Sequence, residues 1–380
     1  MKRSGTEAFL AVGVLIVLSL MFSTLARSDN AKGSSLIPQL TATPTFSDST
    51  VPGNGDVNPY GVAFVPEGFP NGGPLHSGDI VVSNFNNSGN LQGTGTTIIK
   101  VNGGAAPTLF FQGQAGIGLT TALGVLKGGF VLVGNLPSTD NTGTCTAESG
   151  PNQNVGQGGL LVINQHGRLI GQLTSASLLN GPWDLAVKDE GQRALVFVAN
   201  ALSGSVTRLN LRVAGGKGNR QRLVVDGETQ IASGYLHRCD PAAFVVGPTG
   251  LALDKRTDTL YVSSTGDNAI FAVADASTRS SDAGMGKVVV QDQAHLHGPL
   301  GLILAENGDF VSTQGDAVNA DPNQPSEVVE FTHDGQFVTQ FSVDAAAGSA
   351  FGIALKRFES GFIFATVDDT TAVLDVWVVK

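Results

Sequence analysis

The chain has 380 residues, of which 50 are glycine and only 14% are charged. Glycine in a helix interior costs about 1 kcal/mol relative to alanine, so this composition excludes a protein built from long helices. The formal net charge is −10 and the sequence contains no basic stripe, so nucleic acid is not expected as a partner.

The N-terminal segment predicts export. Two basic residues precede an uncharged run over residues 8–22, and Thr24 and Ala26 then provide the small side chains that a signal peptidase accepts. The run is shorter than the stretch of about 20 apolar residues that spans a bilayer. Residues 1–26 are therefore predicted to be a signal peptide, with an uncleaved membrane anchor as the alternative. The domain over residues 27–380 is expected to be periplasmic or secreted, and to contact a membrane only if this segment stays uncleaved.

One strand pattern recurs six times after this segment. In residues 247–264 a turn with Pro and Gly precedes an apolar strand, a polar turn and a second strand, and similar copies begin near residues 58, 119, 181, 298 and 349. A third strand follows most copies and a fourth follows several. Four strands per unit at a period of about 50 residues is typical of a propeller blade, since stacked blades cover each other's apolar faces. The predicted fold class is all-β, a six-bladed β-propeller.

The last copy lacks a fourth strand, because the chain ends at Lys380 just after the third. Residues 36–46 have strand-like composition and precede the first copy. We predict that this N-terminal segment supplies the missing outer strand of the last blade and closes the ring. Its two prolines suit an edge strand, where a missing N–H costs little.

The turn "GPTGLAL" and the strand end "LYVSS" resemble NHL repeats, and the wider group of six-bladed propellers that includes gluconolactonase-like and virginiamycin B lyase-like proteins. The resemblance covers residues 36–380 and is specific for architecture rather than chemistry. It implies a divalent ion held by Glu, Asn and Asp in the first group, but the first blade here starts with Asn58, Pro59 and Tyr60, so no Glu stands at that entry. For the virginiamycin B lyase-like group, the resemblance implies a catalytic histidine that works with an acid. His295 and His297, which precede the fifth blade, are the comparable residues here.

Two sets of residues are expected at one mouth of the central channel. The first set lies at the start of the inner strands: Tyr60, Trp183, Thr249, Leu300 and Phe351. The second set ends the second strand of each blade, and its members are all polar: Asn84, Asn135, Asn200, Ser264, Thr313 and Thr366. Tyr60, Trp183 and the whole second set are candidate ligand-binding residues, because converging amides and hydroxyls can hold a hard cation or bond a sugar or lactone. The alternative is that the second set only caps strand ends.

Asp184 stands where four other blades have glycine, beside Trp183. A carboxylate at this mouth is a candidate catalytic base, or a metal ligand together with Asn135 and Asn200. A divalent cation such as Ca²⁺ is the cofactor that this reading implies. The alternative is a structural aspartate that bonds to turn amides.

The two cysteines lie in insertions that rise from the same predicted face. Cys145 follows the second strand of the second blade, and Cys239 lies between the third and fourth blades. In an oxidising compartment a disulfide between them would pin one insertion over the other as a partial lid. Two free thiols are the alternative.

The sequence favours an exported binding module whose ligand, a small molecule, glycan or protein, meets the channel mouth. No Ser–His–Asp constellation or phosphate-binding loop stands out in it. The first alternative is a metal-dependent lactonase-type hydrolase or a lyase. The second is a structural or assembly protein of the cell envelope.

Overall fold

The computed structural model describes Met1 and residues 33–146, 154–216, 221–315, 318–321 and 323–380. Apart from Met1, the segment that predicts export lies outside these residues. Within the part that is described, no helix has both the length and the apolar character needed to cross a bilayer.

The described residues form six four-stranded antiparallel sheets, which we number as blades in chain order. Short runs of Val, Ile, Leu and Phe between turn residues form the strands, because such side chains fit a pleated, half-buried surface. Blade 1 contains β2 (Val57–Phe64), β3 (Ile80–Asn86), β4 (Thr97–Val101) and β5 (Thr108–Gln112). Blade 2 contains β6 (Leu119–Leu126), β7 (Phe130–Asn135), β8 (Gly159–Asn164) and β9 (Leu169–Leu173). Blade 3 contains β10 (Pro182–Asp189), β11 (Arg193–Asn200), β12 (Ser205–Ala214) and β13 (Arg222–Ser233).

A short hairpin, β14 (Arg238–Asp240) and β15 (Phe244–Val246), separates blades 3 and 4. Blade 4 contains β16 (Pro248–Asp254), β17 (Thr259–Ser264), β18 (Ala269–Val273) and β19 (Lys287–Val290). Blade 5 contains β20 (Pro299–Leu304), β21 (Phe310–Gln314), β22 (Glu327–Phe331) and β23 (Phe337–Ser342). Blade 6 contains β24 (Ala350–Phe358), β25 (Gly361–Asp368), β26 (Val373–Val379) and β1 (Phe46–Ser49). The inner strand of each blade contacts the inner strands of both neighbours, including β24 against β2, so the sheets close into a ring.

The N-terminal strand closes the ring as predicted, but it starts later than predicted. β1 pairs with β26, with Phe46 opposite Val376, so only one residue of the predicted segment 36–46 lies in the strand. Residues Ile37–Gln39 form a 3₁₀ turn instead, with a proline at its start. The turn is anchored because the Glu330 carboxylate accepts the backbone N–H groups of Leu36 and Ile37 at 2.6 and 2.7 Å. Leu36 and Ile37 pack there against apolar side chains of blades 5 and 6.

Apolar layers between neighbouring blades make up the core. The layer between blades 1 and 2, for example, contains Val81, Ile98, Val133 and Leu161. The layer between blades 6 and 1 continues into the axis of the ring. The repeat therefore stabilises the protein blade against blade, and what is left at the axis is available for a site.

Inner-strand glycines allow the blades to approach closely at the axis. A Cβ on Gly250 would lie 2.3 Å from the Leu300 carbonyl oxygen, and one on Gly352 would lie 1.9 Å from the Tyr60 carbonyl oxygen. Any larger residue at these two positions would push the next blade outward. Blade 3 carries Asp184 at the matching position, so this blade meets its neighbour by a different contact.

Candidate functional site

Five aromatic rings plug the central channel. They belong to Tyr60, Phe85, Trp183, Phe244 and Phe351, which come from blades 1, 3 and 6 and from the β14–β15 hairpin. The Tyr60 ring stacks on Phe351 with centroids 4.4 Å apart and meets Trp183 edge-on at 5.5 Å. Phe85 meets Phe244 edge-on at 5.7 Å. These rings form an apolar floor across the axis.

A cavity of about 300 Å³ lies above this floor, and we call it the mouth cavity. Its wall combines the first-blade start, the ends of second strands and the hairpin between blades 3 and 4. The lining residues are Asn58, Tyr60, Asn86, Asn90, Gln92, Trp183, Ala242, Ala243, Val245, Thr265, Gly298, Leu300, Gly315, Val318, Ala347, Gly348, Phe351 and Asp369. An apolar concavity with a few polar groups is the usual form of a small-molecule site.

Two amide oxygens in this wall are buried without a partner. Asn58 and Asn86 are 8% and 1% exposed, and the Oδ1 atom of each has no hydrogen bond with any described residue. The Asn86 Nδ2 group donates to Asn90 Oδ1 at 2.6 Å, which fixes the orientation of that amide. Most buried polar atoms in folded proteins are paired, so these two oxygens are exceptions, but both are buried and neither is exposed in the cavity.

Asp369 brings a carboxylate to the same wall. It directly follows β25, is half-buried, and has no side-chain hydrogen bond or ion pair among the described residues. Burial, and then the neighbouring charge of Asp368, raise its pKa to about 7. Burial and the Asp369 charge also raise the pKa of the Tyr60 phenol, which therefore remains neutral.

Four of the five residues predicted at the inner-strand starts line the mouth cavity. Tyr60, Trp183, Leu300 and Phe351 supply its floor and one side. Thr249 is absent from the lining, and its hydroxyl bonds the backbone of blade 5 at 3.0 Å instead. A ligand-binding role for Tyr60 and Trp183 stays a prediction.

The polar set at the second-strand ends is buried behind the wall. None of its six members lines the mouth cavity: Asn84, Asn135, Asn200, Ser264, Thr313 and Thr366. The Asn135 and Asn200 side-chain oxygens accept the backbone N–H groups of Gly118 and Asn180 at 2.9 and 3.0 Å. Each of these two amides therefore holds the loop that leads into the inner strand of its own blade.

The other four members have similar surroundings. The Asn84 amide donates to a backbone carbonyl at 3.1 Å, and the Ser264 hydroxyl donates to the Asp267 carboxylate at 2.6 Å. Thr313 accepts a backbone N–H within its own blade at 2.8 Å. Asn84 Oδ1 and Thr366 Oγ1 are buried without a partner, but away from the cavity lining. None of these four residues contacts the mouth cavity, so a ligand-binding role for them stays a prediction.

Asp184 bonds blade 3 to blade 4. Its two carboxylate oxygens accept the backbone N–H groups of Leu185 at 2.7 Å and Leu251 at 3.0 Å. Burial nonetheless raises its pKa to about 7, while these two hydrogen bonds act in the opposite direction. A metal held by Asp184, Asn135 and Asn200 would have to displace amide hydrogen bonds at all three residues. Across the described parts of the chain, no group of three or more His, Cys, Asp or Glu is placed to hold a metal ion.

The two histidines that precede blade 5 have separate partners. The His295 Nδ1 atom lies 2.9 Å from the Asp292 carboxylate, and its ring stacks on Phe337. The His297 Nδ1 atom lies 3.1 Å from the Asn319 carbonyl oxygen. Neither histidine lines the mouth cavity.

Cys145 and Cys239 form a disulfide, as predicted from their places in the chain. Cys239 lies in β14, and the hairpin that it anchors carries Ala242 and Ala243 in the cavity wall. The Gln92 amide donates to the Ala242 carbonyl oxygen at 2.9 Å and ties the hairpin to blade 1. The disulfide therefore holds one side of the mouth cavity in place.

Asn58, Asn86 and Asp369 are three of the wall residues that sequence reasoning missed. Asn86 and Asp369 follow the predicted strand-end residues by two and three positions. Asn58 was considered only as a departure from a glutamate, and its backbone adopts a positive φ of 59°. Extending each second strand into the loop that follows would have placed two of the three in the candidate set.

The sequence matches no known protein family. It has no match among curated proteins. Among solved structures, the chain is similar to a gluconolactonase of Xanthomonas campestris (14% identity, TM-score 0.50, 91% of this chain and 100% of that one). It is also similar to the calcium-binding protein regucalcin of Agrobacterium tumefaciens (12%, 0.50, 87% and 94%) and to a chain of the mitotic checkpoint complex (11%, 0.51, 92% and 97%). At these identities the likeness concerns the fold, and the chain is a six-bladed β-propeller structurally similar to gluconolactonase and regucalcin.

Proposed function

We propose that the protein is an exported binding module that takes a small molecule into the mouth cavity. The observation that carries this proposal is the mouth cavity itself, in which the half-buried, unpartnered Asp369 carboxylate lies in the wall above an aromatic floor. A buried acceptor without a hydrogen bond costs about 1–3 kcal/mol. A bound ligand that donates to the Asp369 carboxylate would remove that cost.

The shape of the cavity favours a small molecule over a protein partner. Its volume of about 300 Å³ lies at the lower end of the range for small-molecule sites, and the aromatic plug closes it below. A stable protein interface needs roughly 1,000 Å² of complementary surface. A concavity of this size holds one compact ligand.

Export is part of the proposal. The disulfide lies in the body of the propeller, and disulfides persist mainly in oxidising compartments. The N-terminal run of uncharged residues has the length and flanks of an export signal. The binding module would therefore meet its ligand in the periplasm or outside the cell.

The lactonase-type alternative has less support. The described residues supply no acidic or histidine cluster for a metal ion, and the oxygens of the three predicted metal ligands already bond amides. We therefore derive no metal-assisted step for this chain. Lactone turnover that EDTA abolishes would favour the hydrolase over the binding module.

A ligand panel tests the proposal. Amines, polyols, amino acids and lactones are added separately, and binding is followed by thermal shift and calorimetry with native protein and an Asn58→Gly variant. Asn141→Gly is the matched control, because Asn58 and Asn141 both have a φ of 59° that glycine adopts without strain. We expect a ligand that binds the native and control proteins alike and binds Asn58→Gly at least tenfold more weakly. Equal binding to all three proteins would contradict the proposal.

A further inference from the structure

Each of the six seams between neighbouring blades contains an apolar layer. Most seams also contain a buried side chain that hydrogen-bonds the inner strand of the next blade, and we call such a side chain a latch. The Ser83 hydroxyl of blade 1 donates to the Thr120 carbonyl oxygen of blade 2 at 2.8 Å. The Ser263 hydroxyl of blade 4 donates to the Leu300 carbonyl oxygen of blade 5 at 2.8 Å. A latch therefore holds the next inner strand by a directional bond, which an apolar layer does not provide.

Three further seams have latches of different chemistry. The Thr120 hydroxyl of blade 2 donates to the Pro182 carbonyl oxygen of blade 3 at 2.9 Å. The Asp184 carboxylate of blade 3 accepts the Leu251 N–H group of blade 4 at 3.0 Å. The Thr313 hydroxyl of blade 5 donates to a backbone carbonyl of blade 6. Five seams are therefore latched.

The seam between blades 6 and 1 has no latch of this kind among the described residues. Val367 of β25 stands in the register position of the latch Thr313 of β21, because each directly follows the residue that is paired with the position after the inner-strand glycine. Val367 is buried and has no side-chain group that forms a hydrogen bond. A Cβ on Gly352 would lie 1.9 Å from the Tyr60 carbonyl oxygen, so the two backbones still approach closely. The acceptor that a latch would use is present, and the donor is missing.

The polar contacts that cross this seam involve the closing strand instead. The Asp48 carboxylate, in β1, accepts the Gly104 N–H group of blade 1 at 2.7 Å. The Asn84 amide of blade 1 donates to the carbonyl oxygen of Thr50, just after β1, at 3.1 Å. Blades 6 and 1 are therefore bonded through the outermost strand of blade 6, while their inner strands are held together by apolar packing.

The mouth cavity lies across the same seam. Its floor includes the stacked pair of Tyr60 from blade 1 and Phe351 from blade 6, and its wall includes Asn58 and Asp369 from the same two blades. The opposite side of the cavity is fixed by the disulfide and by the bond from the Gln92 amide to the hairpin. The unlatched seam is therefore the less constrained side of the cavity.

We propose that the inner strands of blades 6 and 1 separate and close again, with the closing strand as the hinge, and that this motion admits a ligand to the mouth cavity. The statement on ligand entry rests on the proposed function, whereas the motion itself does not. A hydroxyl at position 367 would supply the missing donor, as Thr313 does in blade 5.

Methyl relaxation dispersion by NMR measures the motion in the native protein. Val82 and Val376 are buried probes of the layer between blades 6 and 1. Ile270 and Leu302 are buried probes of the latched layer between blades 4 and 5. We expect exchange on the microsecond-to-millisecond timescale at the first pair and none at the second, because blade separations of this kind fall in that range.

Val367→Thr keeps the shape of the side chain and adds the latch hydroxyl. It should reduce the exchange at Val82 and Val376 at least threefold. Val262→Thr is the matched control, because Val262 is an equally buried valine in the second strand of blade 4, and it faces the seam between blades 3 and 4. This control should leave the exchange at the first pair of probes unchanged. If Val367→Thr does not fold, the comparison of the two seams in native protein still decides whether the motion exists.

Ligand kinetics test entry through the seam. A panel ligand that binds the mouth cavity is mixed with native protein, Val367→Thr and Val262→Thr in a stopped-flow instrument. We expect the latch to slow association and dissociation at least threefold each, and to leave the dissociation constant within twofold, because a gate changes rates in both directions alike. The control should have native rates.

The outcomes separate the inference from the proposed function. Equal exchange at the two seams, or exchange that a folded Val367→Thr leaves unchanged, would overturn the motion. Ligand rates that the latch does not alter would overturn entry through this seam, while the binding itself would support the proposed function. If no panel ligand binds, the proposed function is wrong, and the relaxation measurements alone decide the motion.

Discussion

Asp184 lies in the inner strand of blade 3 and Asp369 directly follows the second strand of blade 6. Burial raises the pKa of each carboxyl group to about 7. They differ in their partners. The Asp184 carboxylate accepts two backbone N–H groups, one of them from the next blade, whereas the Asp369 side chain has no hydrogen bond or ion pair in the described chain. Asp184 also lies outside the mouth cavity and Asp369 lines it.

The comparison shows that a raised pKa by itself does not identify a site. Burial disfavours the charged form of a carboxylate wherever it occurs. The two residues differ in the hydrogen bonds of their side chains. The Asp184 carboxylate is stabilised by two backbone N–H groups in the folded protein, whereas no described residue donates to the Asp369 carboxylate, which is left for a ligand. The unpaired residue is therefore the better candidate for function.

The largest expected effect concerns the disulfide that anchors the hairpin in the wall of the mouth cavity. Replacing both Cys145 and Cys239 by serine removes a crosslink between residues 94 positions apart. A closed loop of that length corresponds to about 4.6 kcal/mol of unfolding free energy, so the denaturation midpoint should fall clearly. Ligand affinity should fall with it, since the hairpin in the cavity wall loses its anchor. Native protein treated with reductant should behave as the double variant does, and an unchanged midpoint would contradict the role given to the disulfide.

The next effect concerns Asp184. Asp184→Ala leaves the buried Leu251 N–H without an acceptor, so the free energy of unfolding should fall by about 2 kcal/mol while ligand binding persists. Asp184→Asn is the matched variant and should lose less, because its amide oxygen can still accept one bond. Urea denaturation and calorimetry measure the two properties. Loss of binding at unchanged stability would instead support the catalytic or metal-ligand role considered from the sequence.

The smallest effect has the opposite sign and belongs to Asp369. Its pKa is raised from 3.8 to about 7, so the folded state binds the proton more tightly, and stability is lost as the pH rises through this range. Asp369→Asn should therefore raise the free energy of unfolding at pH 8, by about 1 kcal/mol after allowing for solvent screening of a half-buried group. Near pH 4 the gain should vanish. A destabilised variant at pH 8 would mean that Asp369 has a stabilising contact.

The repeat made most of the fold predictable. Each copy brings its own turn, inner strand and second strand, and the missing last strand indicated closure by the N-terminus. The position of that strand was not predictable from composition, because Leu36 and Ile37 suit an edge strand as well as a buried turn. Their burial depends on the Glu330 carboxylate, which is far away in the sequence.

The site was predictable only in part. Tyr60 and Trp183 follow prolines at inner-strand starts, and the repeat places them near the axis. Asn58 and Asp369 depend on local geometry that the repeat does not encode: a positive φ at one, and at the other a position just past the strand end. Phe244 comes from a hairpin between blades, outside the repeat altogether.

Carbon-13 NMR of the aspartate carboxyl groups tests the comparison most directly, with Asp184→Asn and Asp369→Asn used for assignment. Two resonances should titrate near pH 7 in the free protein. Saturation with a panel ligand that binds the mouth cavity should shift the titration midpoint of Asp369 and leave that of Asp184 in place. An Asp369 resonance that titrates near its ordinary value of 3.8, or equal shifts of both residues, would contradict the account.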